Sequence, residues 1–250
     1  MFRTAKPCRN VPNSVFAKAN SEVDSVYLDS CIRENLNMNA ERVMVVKDPL
    51  KVVLTNYDQT EQLVVENNPN AETITTRQVS FSNELYIDRA DFALVPPPKY
   101  HRLKKDGYVR LKGAYIIRCD EVVLSPNGEV EKLLCSVVEN SKSGQDTSGV
   151  KVKGVIQWVD AKTAIDVVVR DLDAMLLPDE NGEMDLIDRF NNDSLKETVG
   201  KAESCLAQAE VGDRFQFMRV GYYSKDRDVI NGTIVFNQIV GLKDGFKPNK

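Results

Sequence analysis

The sequence predicts a mainly β fold, a sandwich or a barrel, that follows a short helical segment. Apolar residues recur at three- and four-residue intervals near the start, between residues 22 and 37. After Arg42 the apolar period changes to two, in many short runs that turn residues separate. Numerous short strands at such spacing are typical of sandwiches and barrels. With 250 residues, of which 42% are hydrophobic, the chain can build the cores of two domains.

A helix is predicted over residues 22–37, where the apolar side chains fall on one face. Ser21 followed by Asp24 resembles an N-terminal capping pair. Asn37 and Asn39 fit the end of this helix. Residues 1–20 are polar and are predicted to be an irregular tail.

Alternation predicts the strands 44–46, 52–57, 63–65, 84–87, 108–119, 121–124, 130–135, 150–158, 165–170, 215–223 and 233–240. Ser125-Pro-Asn-Gly has the residues of a hairpin turn between two of these strands. Pro96-Pro-Pro cannot donate to a sheet, so residues 96–98 are predicted to be an extended spacer between two modules.

Composition and motifs exclude several classes of function. The net charge is −4, and no run approaches the roughly 18 apolar residues of a membrane span. His101 is the only histidine, so a site with two imidazole ligands cannot form, and we expect no metal site. The motifs GxxxxGK[ST], GxGxxG and GxSxG are absent, so we expect no catalytic residue. Five scattered cysteines without a CxxC pair suggest reduced, mostly buried thiols and a cytoplasmic protein.

Positive charge is concentrated in residues 99–112. This segment holds six Lys and Arg against Asp106, a net charge of +5, so the rest of the chain carries −9. Strand alternation places Tyr108, Arg110 and Lys112 on one face, where an aromatic ring and two cations could hold an unstacked base and its phosphate. The simpler interpretation is a solvated, charge-protected sheet edge, and composition alone does not separate the two.

Two further features have structural interpretations. Asp88 and Asp91 flank Arg89 and could form a carboxylate pair, but a surface ion pair with Arg89 and turn capping account for them better. Trp158 ends an alternating strand, and we expect it in the core and not on a stacking surface.

Several strings resemble the glutaminyl-tRNA synthetase family. The longest is Arg-Gln-Val-Ser-Phe-Ser-Asn-Glu-Leu-Tyr-Ile-Asp-Arg-Ala-Asp-Phe, at residues 77–92. The others are at residues 31–37, 100–102, 109–111, 151–159 and 235–237. Together they run in the family's order from about residue 17 to residue 244, which is nearly the whole chain.

The resemblance implies the C-terminal anticodon-binding region of that family, built as two β-barrels. Residues 1–40 would be a tail and helical segment. Residues 41–97 together with 177–245 would form a proximal barrel, and residues 98–176 a distal barrel. The triple proline at 96–98 falls at this predicted crossover.

The resemblance also implies which residues bind the anticodon. By motif, Arg42 and Gln216 would bind the middle uridine, and Arg219 would support that pocket. Arg110 and Lys112 would contact the first anticodon position. Arg102, with Lys99 and His101 beside it, would bind the third-position guanine. Arginine suits guanine because its planar fork donates twice to acceptor edges. Three positions depart from the family pattern. Lys112 stands in place of an Arg, His101 stands in place of a Lys, and Met218 stands in place of a Glu.

The function implied is part of a glutamine–tRNA ligase, a class I aminoacyl-tRNA synthetase. The catalytic domain, which uses ATP and Mg²⁺, is missing here, so the chain alone should be inactive and need no cofactor. The expected partners are the anticodon loop of tRNA(Gln) and that catalytic domain, with no membrane and no DNA. Two alternatives stay open: a stand-alone RNA-binding module that acts in trans, and a β-barrel scaffold whose 99–112 hairpin docks an acidic protein.

Overall fold

The computed structural model describes residues 25–177 and 184–243. The predicted irregular tail, the Ser21–Asp24 capping pair and Cys8 lie outside these ranges. The protein is mostly β, with 47% of residues in strands and 10% helical, and it has one short helix followed by two barrel-like sheets. One sheet is nearly closed and the other is a half-barrel. The predicted mainly β fold with two barrel-like units after a helical segment is therefore confirmed.

The helix and strands of the described residues are, in chain order, α1 Ser25–Asn39, β1 Glu41–Val43, β2 Val45–Val46, β3 Pro49–Leu54, β4 Glu61–Glu66, β5 Thr76–Phe81, β6 Glu84–Asp88, β7 Phe92–Ala93, β8 Leu103–Lys104, β9 Tyr108–Leu111, β10 Ile116–Leu124, β11 Val130–Val137, β12 Val155–Ile156, β13 Val159–Asp160, β14 Ile165–Leu172, β15 Leu195–Ala202, β16 Arg214–Phe217, β17 Gly221–Ile230 and β18 Thr233–Gly241.

Helix α1 extends to Asn39, two residues beyond the predicted end. The Asn39 side chain donates to the carbonyl of Asn35 at 2.7 Å, so the amide stabilises the last turn. Leu36 and Ala40 are buried in one cluster with Tyr222 and Val240. This burial fixes the end of the helix on the sheet that contains β17 and β18, because the apolar contacts there exclude water.

The first sheet has the strand order β1-β16-β17-β18-β14-β15-β2, and the second has the order β12-β9-β10-β11-β3-β6-β13. In both sheets the two edge strands are neighbours in sequence. Only Met44 separates β1 from β2, and only residues 157–158 separate β12 from β13. The two edges of each sheet are therefore held close where the chain passes between them, and the sheets curl, one into a nearly closed barrel and the other into a half-barrel.

Alternation along the first two strands connects the two cores. Val43 and Val45 belong to the core of the first sheet, whereas Met44 and Val46 belong to the core of the second. Because successive side chains of a strand point to opposite faces, one short segment serves both cores. Trp158 is fully buried in the second core, which confirms its predicted core position.

Strand pairing divides the chain differently from the predicted boundaries. Strands β3 and β6 were expected in the proximal barrel, but they belong to the second sheet, where β3 pairs with β11 and β6 pairs with β13. Strand β14 was expected in the distal barrel, but it pairs with β15 and β18 of the first sheet. The first sheet thus takes residues 41–46 and 165–241, and the second takes residues from 49 to 160. The prolines 96–98 lie between β7 and β8, not where the chain passes from one sheet to the other.

Several strand predictions were correct and others were wrong. The hairpin of β10 and β11 forms around residues 125–128 as predicted. The predicted strand 108–119 is two strands, because Gly113 turns the chain with a φ of 70°. The predicted strand 215–223 is likewise interrupted, at Arg219, whose φ is 63°. Residues 150–154 are not in a strand, and β5 and β15 were not predicted.

The cysteines were expected to be reduced and mostly buried, and no membrane span was expected. Four cysteines lie in the described ranges and all are free, but only Cys119 and Cys135 are buried, and Cys205 is exposed. Within residues 25–177 and 184–243, no helix has both the length and the apolar character that a membrane span requires.

Candidate nucleic-acid interface

A cleft of about 320 Å³ opens where the two sheets meet the hairpin of β4 and β5. Arg42 lines it from the first sheet, and Arg110 and Lys112 line it from the second. Its apolar lining comes from Val64, Val155 and Met218, among other residues. Cations around an apolar surface form a site for a ligand that has a flat ring and a negative charge.

Arg42 is fixed in the cleft by its backbone and by one end of its guanidinium. Its backbone N–H donates to the carbonyl of Asn67 at 2.6 Å, and its Nη2 donates to Oδ1 of Asn37 at 3.2 Å. Its Nε is buried and has no hydrogen-bond partner among the described residues. A buried donor without a partner is costly, so Arg42 retains a hydrogen-bonding capacity that a ligand could satisfy.

Gln216 lies beside Arg42, because β1 and β16 are parallel and these two residues are partners in the register. On the other side of Gln216, strand β17 places Tyr222 opposite it. Burial raises the pKa of the Tyr222 hydroxyl, and the charges of Arg42 and Arg33 oppose that shift. The expected pair for the middle base is therefore adjacent in the structure, on the face that α1 covers.

Arg110 points outward from β9, as the alternation predicted, while Val109 and Leu111 are buried. Its Nη1 donates to the carbonyl of Ser141 at 2.8 Å, and its Nη2 forms an ion pair with Asp146. The loop of residues 139–149 therefore holds the guanidinium in place at the cleft.

Lys112 is exposed at the turn after β9, and its backbone is anchored on both sides. Its N–H donates to the carbonyl of Ile156 at 2.9 Å, and its carbonyl accepts from Nε1 of Trp158 at 3.0 Å. Trp158 is thus a core residue that also fixes the backbone beneath a cleft cation. The Lys112 ammonium has no ion pair within the part of the chain that the structure describes.

Arg102 and Arg219 converge on Asp91. Nη1 and Nη2 of Arg219 donate to the two carboxylate oxygens at 2.7 and 2.9 Å, and Nε of Arg102 lies 3.3 Å from Oδ1. Arg219 was expected to support the pocket of Gln216, which stays a prediction; its guanidinium is held by Asp91, and its backbone lies in the turn between β16 and β17. Met218, the residue before Arg219, lines the cleft, whereas Asp91, Arg102 and Arg219 are not among its lining residues.

Asp88 and Asp91 do not form the surface ion pair with Arg89 that was expected of them. Asp88 caps a short 3-10 turn by accepting from the N–H of Ala90 at 3.1 Å, as expected. Arg89, however, pairs with Asp48. Asp91 is 2% exposed and is not part of a surface pair. Spacing in sequence favoured Arg89 as its partner, whereas the fold supplies Arg219 from 128 residues away.

Lys99 and His101 are exposed in the loop before β8, and Lys99 has a φ of 62°. This loop packs tightly against Gly154, because a Cβ at that position would lie 1.7 Å from the carbonyl oxygen of His101. The carbonyl of Gly154 in turn accepts from the N–H of Arg110 at 3.1 Å. The Lys99–Arg102 loop is therefore connected to the strand that carries Arg110 by direct backbone contact.

The structure brings six of the eight predicted residues together in two groups, whereas Lys99 and His101 lie exposed in the loop that precedes Arg102. Arg42, Arg110 and Lys112 share the cleft, with Gln216 beside Arg42. Arg102 and Arg219 share Asp91, which sequence reasoning assigned elsewhere. Asn37 and the apolar lining residues were also missed as site residues. The available signal for Asp91 was a charged residue inside the mostly apolar string Ala-Asp-Phe-Ala-Leu-Val. The base assigned to each residue stays a prediction.

Comparison with known proteins agrees with a site of this kind. Residues 40–138 and 155–226 match two family models, both described as the anticodon-binding domain of class I tRNA synthetases (E and Q). A glutamine–tRNA ligase of Rhodopirellula baltica is 44% identical over 91% of this chain and 39% of its own length. The glutamine–tRNA ligase of Clostridium perfringens is 42% identical over 98% of this chain and 45% of its own length. The glutamine–tRNA ligase of Idiomarina loihiensis is 40% identical over 92% of this chain and 42% of its own length.

The chain spans less than half the length of these relatives, and the matched models cover most of it. The matched residues include every strand that contributes to the cleft, from β1 to β16. The chain therefore belongs to the class I tRNA synthetases (E and Q), whose anticodon-binding domains it carries.

Proposed function

We propose that the chain is the C-terminal part of a glutamine–tRNA ligase and that it binds the anticodon loop of tRNA(Gln). The observation that carries the proposal is the cleft with Arg42, Arg110 and Lys112 around an apolar lining. Single-stranded RNA is recognised through unstacked bases that pack on flat or apolar surfaces while cations hold the backbone. The names of the relatives, all glutamine–tRNA ligases, support glutamine as the amino acid.

Each predicted residue has a role in this proposal. Arg42 and Gln216 bind the middle uridine, for which the unpartnered Nε of Arg42 supplies a donor. Arg110 and Lys112 bind the first anticodon base or its phosphate. Arg102 binds the third-position guanine, with Lys99 and His101 at the adjacent backbone. Arg219 contributes through Asp91, next to Met218.

In this proposal the catalytic domain of the same ligase activates glutamine with ATP and Mg²⁺. That domain is the second expected partner of the chain. The chain itself contributes recognition and no catalytic group. We place the ligase in the cytoplasm, where its tRNA is used.

The proposal is tested by titrating the chain with fluorescent anticodon stem-loop RNAs. The cognate loop is compared with three loops that each carry one substituted anticodon base, at fixed salt, because affinity for RNA depends on ionic strength. Arg102→Ala is expected to weaken cognate binding by about 1–3 kcal/mol and to relax discrimination at the third position. Arg89→Ala is the matched control, because Arg89 is exposed, pairs with Asp48 and is not one of the predicted anticodon-binding residues.

Two results would contradict the proposal. Equal affinity for all four loops would instead favour a stand-alone RNA-binding module. No binding to RNA, together with a stable complex with an acidic protein, would favour the scaffold interpretation.

A further inference from the structure

Asp91 is a buried carboxylate that holds two arginine side chains from distant segments. Its side chain is 3% exposed, whereas those of Arg102 and Arg219 are 44% and 37% exposed. Arg219 donates to both of its oxygens, at 2.7 and 2.9 Å, and Arg102 approaches Oδ1 at 3.3 Å. The bidentate arrangement fixes the plane of the Arg219 guanidinium, because two parallel hydrogen bonds leave it little rotation.

The backbone around Asp91 is itself fixed. Asp91 is the last residue of a short 3-10 turn, and the next residue, Phe92, pairs with Leu103 of β8. Leu103 directly follows Arg102, so Asp91 and Arg102 lie on neighbouring chain segments. Nη1 of Arg102 also donates to the carbonyl of Ala90 at 2.8 Å. Arg102 is therefore oriented by two acceptors from a single turn.

Arg219 reaches the same carboxylate from the other sheet. It lies in the turn between β16 and β17, with a φ of 63°, and its neighbour Met218 donates its N–H to the carbonyl of Val43 in β1 at 2.9 Å. The carboxylate thus joins the turn that follows Gln216 to the loop that holds Arg102. A movement of either arginine changes the hydrogen bonds available to the other, because both use Oδ1.

We propose that Asp91 is a positioning residue that couples recognition of the middle anticodon base to recognition of the third. The inference rests on the proposed function, since it assumes that Arg102 and the strand of Gln216 contact those two bases. An arginine held in one orientation presents its remaining donors in one geometry and so selects among bases. A free arginine forms ion pairs with any phosphate, which gives affinity without selectivity.

The test compares Asp91→Asn with Asp48→Asn in the intact chain. Both substitutions remove one negative charge, and Asp48 pairs with the exposed Arg89. For Asp91→Asn we expect discrimination against substituted middle and third bases to fall about tenfold at each position. Affinity for the substituted loops should not fall, because a repulsive charge is removed. A purely structural role would instead weaken binding to every loop alike. Asp48→Asn should leave both discriminations unchanged.

A second measurement leaves Asp91 intact and keeps the inference testable if Asp91→Asn does not fold. Arg219→Ala is expected to lower discrimination at the third position, where Arg102 acts, and Arg102→Ala to lower it at the middle position. The double variant, with both Arg102→Ala and Arg219→Ala, then shows whether the two losses of discrimination add or are coupled. If each substitution affected only its own position, or the effects were additive, the inference would be overturned while the proposed function stood. If the unsubstituted chain did not distinguish the loops, the proposed function itself would fail.

Discussion

Arg42 and Arg110 lie on strands of different sheets, β1 and β9, and yet both line one cleft. The hairpin of β4 and β5 completes that cleft through Val64 and Glu66. The spacing of the two guanidinium groups therefore depends on how the sheets and the hairpin pack against each other. Substitutions in those contacts should change RNA binding even where they touch no RNA.

Gly154→Ala is expected to destabilise the protein by about 1–3 kcal/mol and to weaken RNA binding. The added Cβ would lie 1.7 Å from the carbonyl oxygen of His101, and a backbone oxygen cannot rotate away as a side chain can. Urea unfolding and stem-loop titration measure the two effects. Gly241→Ala is the control, because the nearest atom to its Cβ is 3.7 Å away. Equal unfolding midpoints for the two variants would contradict the close packing of the His101 loop.

Lys112→Ala is expected to reduce the salt dependence of RNA binding. If the exposed ammonium neutralises one phosphate, the slope of log K against log salt should become shallower by about 0.7. The measurement is a series of titrations at increasing KCl. Lys196→Ala removes the same charge from an exposed position of β15 outside the cleft, and its slope should match that of the unsubstituted chain. An unchanged slope for Lys112→Ala would place this lysine away from the RNA backbone.

Arg77→Met is expected to destabilise the protein by about 3–5 kcal/mol, because it leaves a buried carboxylate without its cation. Glu203, whose side chain is 4% exposed, accepts from Arg77 at two nitrogens, each at 2.7 Å, and from the N–H of Met44 at 2.7 Å. Chemical denaturation measures the loss. Arg89→Met removes an exposed ion pair and should cost less than about 1 kcal/mol.

A second substitution separates charge from packing at this pair. Adding Glu203→Gln to Arg77→Met removes the unpaired charge and should restore part of the lost stability. A double variant no more stable than Arg77→Met would show that lost packing, not the buried charge, causes the effect. RNA binding should weaken with Arg77→Met as well, because Arg77 anchors the hairpin that carries Val64 and Glu66.

Glu61 is expected to contribute stability that acid removes. Burial acts to raise the pKa of Glu61, but hydrogen bonds from Lys142, Tyr115 and Tyr57 lower it below its ordinary value. The two tyrosine hydroxyls donate to Oε1 at 2.5 and 2.6 Å. A carboxylate whose pKa is lower in the folded state stabilises the fold above its unfolded pKa, about 4.3, and loses that contribution as pH falls through the folded pKa.

Urea unfolding from pH 7 down to pH 3 measures this contribution. Glu61→Gln should be less stable than the unsubstituted chain at neutral pH, and the difference should shrink below about pH 4. Glu129→Gln, at an exposed position of the β10–β11 turn, should leave the pH profile unchanged. A constant difference across the whole range would contradict the lowered pKa of Glu61.

Local patterns predicted the parts of this structure that local forces determine. Alternation correctly placed Val109 and Leu111 inside and Arg110 outside, because a strand with one buried face must alternate. The Ser125-Pro-Asn-Gly turn predicted its hairpin for a similar reason. The break at Gly113 was missed because apolar alternation continues on both sides of it. A left-handed turn of one residue leaves that pattern intact.

Long-range pairing could not be predicted in this way. Asp91 has an arginine two residues before it, and sequence spacing alone favours that neighbour over Arg219. The sheet memberships of β3, β6 and β14 also depend on partners far along the chain. The resemblance to a family named the candidate residues, but only the fold shows that Arg102 and Arg219 share one carboxylate.

The way the second sheet interrupts the first determines the order in which the protein can fold during synthesis. All strands of the second sheet lie between residues 49 and 160, so that unit can pair completely while the ribosome is still adding the remainder. Strands β1 and β2 are synthesised before the strands of the second sheet, yet they must wait for partners at residues 195–202 and 214–217. Nascent chains released before residue 217 would therefore present an open apolar edge, which makes premature termination an aggregation hazard for this protein.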